Sequence, residues 1–402
     1  MPSNQRVLIA GAGPVGLITA LILARAGVPV LVLEAEPGLT HDLRAGTFHP
    51  PTQELMAPLG ITARMHEIGI KVPLWQQRDR KEGLVVEWDL GLLKDDTPYP
   101  YRFHLEQHRL TPIVFELLKE YPHAQVRFSA RVTAFTQDAN GVTVEIDTPD
   151  GAESYTGAWL VGADGGRSTV RKGANIAFEG FTWQERYVVI STPHDLSQYG
   201  YASNTYIADP EEWLAIFHMP DVKPPGLWRM AAPVKPELDE KEVLSDAYAQ
   251  NLLKRFMPVT EDLPVPYRGV YSVHQRVAAE FRAGRVLLAG DSAHVNNPLG
   301  GFGLNSGIHD AVNLGDKLAR VMRGEAGAEL MDLYVRQRRV TNLEYVQDIS
   351  IKNKQIMEEK DPVAKRKWID GQRAIAADPA KARQYLLTSS MINSIRRANS
   401  IQ

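Results

Sequence analysis

Three segments of this sequence carry residue types and spacings that can do chemistry, and each is built on glycine. The first is Gly11-Ala12-Gly13-Pro14-Val15-Gly16, with an acid, Glu34, closing the apolar run 30–33. In a G-x-G-x-x-G turn the first glycine permits a tight bend, and the second lets the backbone approach a pyrophosphate. The third allows close helix–strand packing. The helix start then offers unpaired N–H groups and the positive end of its dipole to phosphates. Glu34 stands close to the roughly 20-residue spacing expected of the carboxylate that takes ribose hydroxyls. The second segment is Gly162-Ala163-Asp164-Gly165-Gly166-Arg167-Ser168-Thr169-Val170-Arg171. The third runs from Gly290-Asp291-Ser292-Ala293-His294 to Pro298-Leu299-Gly300-Gly301-Phe302-Gly303-Leu304-Asn305.

Elements that position these corners are legible around them. Val7–Ala10 is a continuous apolar run, as in a strand buried on both faces. Leu17, Ala20, Leu21 and Ala24 recur on one helix face, and Gly27 ends the helix before the apolar run 30–33. This is a βαβ unit with its glycines at the strand-to-helix turn. The runs 159–161 and 286–289 predict two further strands, each entering a glycine corner. A helix after the third corner aligns Ile308, Ala311, Val312, Gly315, Leu318, Ala319 and Met322. Either later corner could alone be a surface turn, and Asp291 could merely cap a helix. Three strand-to-glycine junctions together exceed the needs of one small nucleotide.

Composition narrows the chemistry. The 402 residues contain no cysteine, which removes disulfide scaffolds, thiolate metal sites and dithiol redox chemistry, so redox work must sit on a bound cofactor. A net charge of −3 argues against a nucleic-acid binder. The uncharged stretch 7–24 is long enough to raise a membrane span, but Gly11, Gly13, Pro14 and Gly16 interrupt it, and no membrane association is expected. His104 and His108 lie four apart without an acid cluster, so no metal is expected. No Gly-x-Ser-x-Gly elbow and no second complete G-x-G-x-x-G occur. The absence of cysteine fits a cytoplasmic address.

The three segments, in this order across residues 7 to about 320, resemble the signature of the single-component FAD-dependent aromatic hydroxylases, the family typified by p-hydroxybenzoate hydroxylase. The resemblance implies an α/β fold: a Rossmann-like FAD-binding domain, an inserted, mainly antiparallel substrate sheet and a helical C-terminal segment. It implies that Gly11, Gly13, Pro14 and Gly16 cradle non-covalent FAD, that Glu34 binds its adenosine ribose and that Arg44 lies near the diphosphate. Gln107 would contact the flavin side, and Asp164 would help hold the FAD region and the nicotinamide path. Asp291 would bind the ribityl chain, and Pro298, Gly300, Gly301, Gly303, Leu304 and Asn305 would lie along the isoalloxazine ring. A helix start there would stabilise charge on reduced flavin. Two departures stand out: Ser292 replaces the commoner alanine, and Pro51 falls where many relatives carry arginine.

The activity implied is hydroxylation of a small phenolic ring: NADH or NADPH reduces FAD, O₂ adds at flavin C4a, and the hydroperoxide delivers an electrophilic oxygen. Ionising the phenol helps; His194, Tyr206 and His218 are the candidate bases or acceptors, with Pro298 beside them as a catalytic residue. The alternatives are a flavin-dependent epoxidase or reductase acting on a non-aromatic substrate, and a nucleotide-binding protein without turnover. Alternating runs at 187–192, 201–208, 213–219 and 227–232 predict the antiparallel sheet. Residues 1–70, 101–175 and 268–326 are therefore expected to form the FAD domain, with 71–100 and 176–267 the substrate domain. Residues 327–402 read as helical, with few apolar anchors. A monomer or homodimer is expected.

Overall fold

The computed structural model describes residues 5–40, 46–221 and 226–402. Val7–Ala10 runs into the helix Pro14–Arg25, which returns to Val30–Leu33 as expected. Both strands belong to a six-stranded sheet in the order Arg282–Ala283, Val286–Leu288, Trp159–Gly162, Val7–Ala10, Val30–Leu33, Ala124–Arg127. All neighbours pair in parallel except at the Arg282–Ala283 edge. The strands at 7–10, 30–33 and 159–162 are buried along their whole length, which is why they are uniformly apolar rather than alternating. The helix Gly303–Met322 crosses Pro14–Arg25 so closely that a Cβ on Gly315 would stand 3.0 Å from Ile22.

A second sheet has eight strands, in the order His294–Val295, Tyr267–Ala278, Phe178–Thr192, Leu227–Val234, Leu214–Met219, Asn204–Ala208, Leu74–Asp79, Gly83–Asp89. Its strands are antiparallel except where 204–208 meets 74–79. Side chains alternate between two apolar layers, as the two-residue period requires. Val188, Ile190, Ile207, Leu214, Ile216, Trp228 and Met230 share one layer with the helix Asp246–Phe256. Tyr187, Val189, Tyr206, Ala215, Phe217 and Ala231 share the other with Leu299 and the C-terminal helices. The strand Tyr267–Ala278, expected in the cofactor unit, runs in this sheet instead. It pairs with Phe178–Thr192 along two stretches separated by an irregularity between Thr182 and Arg186.

The C-terminal region is helical: Leu330–Thr341, a π-helical turn Asn342–Gln347, Asp348–Met357, Pro362–Ala376, Pro379–Ser389 and Ile392–Ser400. Asp361 and Asp378 each cap a helix that begins with proline, the favoured Asp-Pro start. These helices are better anchored than their composition indicates. Met357, Ile369, Leu386, Leu387 and Tyr385 pack against the eight-stranded sheet. Among the described residues no helix is long and apolar enough to cross a membrane.

Candidate active site

Sheet register brings the three glycine corners into contact. Ala10 pairs with Gly162, which pairs with Leu288, so the strands end side by side. A Cβ on Gly11 would lie 2.4 Å from the Ala163 carbonyl oxygen, and one on Gly290 would lie 2.8 Å from Val15 Cγ2. Only glycine fits either junction, and both have positive φ, +101° and +66°. Arg171 joins the second corner to the third, donating to the carbonyls of Gly166 and Ser292 at 2.9 Å while stacking 3.8 Å over Phe178. Ser292 adds a bond to the Gly162 carbonyl and another, of 2.8 Å, to that of Ala289. The serine that replaces alanine is therefore a tie between corners.

Of the expected cofactor residues, Glu34, Asp164 and Asp291 lie at these corners. The helix Pro14–Arg25 starts at Gly13 without a side-chain cap, leaving the Val15 and Gly16 N–H groups without intrahelical partners. Glu34 accepts from the Ala12 N–H at 2.6 Å and the Glu36 N–H at 2.9 Å, which fixes its carboxylate beside the first corner. Asp291 is exposed at the third corner, and Gln107 opens the helix Gln107–Leu118. Asp164 turns inward on its own loop: it accepts from Ser168 Oγ at 2.5 Å and from the Thr169 and Val170 N–H groups at 2.7 and 3.1 Å. It shapes the second corner. Arg44 lies outside the described residues.

Behind the third corner a buried ionic cluster went unnoticed in the sequence. Asp310 Oδ2 accepts from the Gly290 N–H at 3.0 Å and lies 2.7 Å from His294 Nε2, while Oδ1 accepts from Arg338 Nε at 2.6 Å. Burial pushes the Asp310 carboxyl up, but attraction to His294 and Arg338 outweighs it and holds the group below the ordinary carboxylate range.

The loop before the helix Gly303–Met322 turns through Gly300 and Gly301, at φ +111° and +71°. The helix begins without a side-chain cap, so the N–H groups of Gly303, Leu304 and Asn305 lack intrahelical partners. The Asn305 side chain is wholly buried: it accepts from the His49 N–H and Thr52 Oγ1 and donates to the carbonyls of Thr47 and Gly301. Its amide fastens the loop, leaving its backbone to face a ring. On the other side, Gln275 Oε1 accepts from Asn297, and Gln275 Nε2 donates to Gln347 Oε1 at 2.7 Å. Leu299 N–H donates to Asn297 Oδ1 at 3.1 Å. Pro298 is thus held between two amide clusters.

One face of the eight-stranded sheet looks toward this loop, and it is aromatic. Tyr206 meets Phe217 edge-on at 5.9 Å and Trp75 at 6.0 Å, and Tyr385 stacks on Trp88 at 4.3 Å. Arg102 lies 4.4 Å over the Trp75 ring and donates to Asn204 Oδ1. His104 shares a 2.9 Å bond with the His218 carbonyl, and His49 one of 2.8 Å with that of Gly300. Burial above all, with the charge of Arg102, lowers both imidazoles to about 3, so both are neutral at neutral pH. Glu106 is bound by Arg229.

Of the three candidate bases, only Tyr206 lies on this face. His218 follows Phe217 in the strand and points the opposite way, stacked on Trp228 at 4.6 Å and 8°. His194 sits in the loop after Phe178–Thr192, 2.7 Å from the Tyr199 hydroxyl and away from the aromatic face. Strand parity and the strand's end place both away from the aromatic face. Arg102 and His49 were missed; the one available signal was an arginine standing within the aromatic run Tyr101-Arg102-Phe103.

A sequence profile for the FAD binding domain matches residues 4–348. Para-nitrophenol 4-monooxygenase from Pseudomonas sp. (strain WBC-3) is 36% identical, covering 98% of each chain. 6-Hydroxy-3-succinoylpyridine 3-monooxygenase HspB from Pseudomonas putida is 33% identical over 96% of this chain and 98% of its own. The crystal structure of p-nitrophenol 4-monooxygenase PnpA from Pseudomonas putida DLL-E4 superposes with a TM-score of 0.92 at 34% identity, covering 98% of both chains. Aklavinone-11 hydroxylase, solved with FAD and aklavinone, gives 0.77 at 29% identity over 88% of this chain and 70% of that one. The chain belongs to the FAD-binding-domain family of flavin-dependent aromatic hydroxylases. It is an FAD-dependent aromatic monooxygenase, and the epoxidase and non-catalytic readings give way. Its residues fit the cofactor: glycine corners that a Cβ would fill, uncapped helix starts at 14 and 303, and Glu34 at the strand end.

Proposed function

We propose that the protein hydroxylates a small para-substituted phenol of the nitrophenol type, consuming NAD(P)H and O₂ and releasing NAD(P)⁺ and water. The carrying observation is the aromatic sheet face of Trp75, Tyr206 and Phe217, which packs with Leu299 of the Pro298–Gly300 turn. End-to-end similarity to para-nitrophenol 4-monooxygenase supports the same substrate class. Bound FAD supplies hydride acceptance from NAD(P)H and activation of O₂.

The chain does the rest. Gly11, Gly13, Pro14 and Gly16 present the first helix start to the diphosphate, Glu34 takes the adenosine ribose and Asp291 the ribityl hydroxyls. N–H groups of Gly303, Leu304 and Asn305 stabilise negative charge on the ring edge laid against Gly300 and Gly301. Gln107 closes the flavin side, and Pro298, whose carbonyl accepts from the Gly301 N–H at 2.9 Å, sets the turn beside the substrate. The Tyr206 hydroxyl holds a hydrogen bond to the substrate oxygen, and the apolar walls keep water from the reacting carbon. In this reading the substrate unit is 71–100 with 176–278, the FAD unit the remainder to 326, and the protein works in the cytoplasm as a monomer or homodimer.

The test is purified yellow protein challenged with a phenol panel, scoring NAD(P)H oxidation against hydroxylated product. Para-nitrophenol is expected among the best substrates. Stimulation by no phenol, with flavin fully bound, would remove the proposal.

A further inference from the structure

Arg102 is 2% exposed, yet among the described residues no carboxylate pairs with it. Its neighbours are Asn204, the Trp75 ring and the hydroxyls of Tyr206 and Tyr385, all uncharged. Of the other buried arginines, Arg229 is neutralised by Glu106 and Arg338 by Asp310, while Arg171 is satisfied by the carbonyls of Gly166 and Ser292. A buried cation without a counter-ion is costly and persists where a ligand completes it. Around it, Arg102 Nε, His49 Nδ1, His104 Nε2 and Trp75 Nε1 are buried polar atoms lacking a protein partner. This end of the aromatic face offers positive charge and polar contacts. It offers no base.

We infer that this aromatic face receives phenols that arrive already ionised, with Arg102 holding the negative oxygen end of the ring and no side chain removing its proton. The inference rests on the hydroxylase reading above and narrows its substrate class to acidic phenols. Groups facing Arg102 from the packed elements are Tyr206 on Asn204–Ala208, Tyr385 on Pro379–Ser389, and the neutral His49 and His104. Burial pushes Tyr385 up to about 12. Farther along the sheet, Glu106 is occupied by Arg229, and burial raises Tyr187 and Tyr271 beyond reach of a neutral-pH reaction. The substrate itself is then the group that titrates.

The holoenzyme tests this without any variant: kcat/KM is measured against pH for phenols ordered by their own acidity, from nitro- and halophenols to phenol. The acidic limb is expected to move with each phenol's own pKa, since that limb reports the free reactants. A limb fixed at one pH for every phenol would reveal an enzyme base and overturn the inference. A second readout is the phenolate absorbance of bound 4-nitrophenol, which is expected to persist to lower pH than that of the free ligand. Arg102→Met is expected to abolish that shift and weaken binding roughly 10- to 100-fold, the worth of one charge-assisted contact, with Arg102→Lys recovering part. Unchanged affinity and an unchanged bound-ligand titration in a flavin-replete Arg102→Met protein would also overturn it. Failure of every phenol at every pH is a different result, and sinks the hydroxylase reading instead.

Discussion

Asp310→Asn is the sharpest probe of how the third corner is held. The carboxylate is wholly buried and faces three groups at once: Arg338 Nε at 2.6 Å, His294 Nε2 at 2.7 Å and the Gly290 N–H at 3.0 Å. An amide at this site turns its NH₂ toward one of those groups and leaves Arg338, 1% exposed, without a counter-ion. Removing one partner of such a buried pair costs about 3–5 kcal/mol, a large share of the roughly 5–15 kcal/mol that holds a folded protein together. Urea denaturation of the holoprotein is expected to register that loss, with FAD affinity falling as the Gly290–Asp291 turn loosens. The folded carboxyl sits below its unfolded pKa, so wild-type stability from this group is full above about pH 4 and is lost as pH falls further. The Asn variant lacks that acid limb. Arg338→Met combined with Asp310→Leu is expected to recover part of the loss, because neither charge is then stranded. Stability within about 1 kcal/mol of wild type, with full FAD content in Asp310→Asn, would refute the reasoning.

Other outcomes follow from neighbouring contacts. Asp291→Ala is expected to purify largely without flavin, read from the ratio of flavin to protein absorbance, while far-UV circular dichroism stays unchanged. Ser292→Ala removes the ties to the Gly162 and Ala289 carbonyls and should lower stability by about 1 kcal/mol in the same denaturation assay. Tyr206→Phe is expected to lower kcat/KM for phenols by about tenfold, one lost hydrogen bond, whereas His218→Ala leaves kcat/KM intact and shows only in thermal stability, through its stacking on Trp228.

The corners were legible because glycine there is a steric requirement: Gly11 against Ala163 and Gly290 against Val15 leave no room for another residue. The sheet was legible because one face meets a helix layer and the other an aromatic one, which forces alternation. Alternation does not say which face turns toward the cofactor. Phe217 and His218 are equal in pattern, and only the packing of Leu299 on one side separates them. Partners distant in sequence were also beyond reach. Arg102 meets Asn204, and Gln275 meets Gln347, through crossings of the chain that leave no local signature. Nor does pattern say which sheet a long strand joins: Tyr267–Ala278 pairs with Phe178–Thr192 on one side and, at its end, with His294–Val295 on the other, all within the eight-stranded sheet.

Turnover under ¹⁸O₂ with FAD-replete protein, NAD(P)H and para-nitrophenol traces the inserted oxygen, read in the product by mass spectrometry. One labelled atom in the new ring hydroxyl, and none when the label is in water, is the expected result. A product whose new oxygen comes from water, or NAD(P)H oxidation that yields only peroxide with every phenol, would contradict the account.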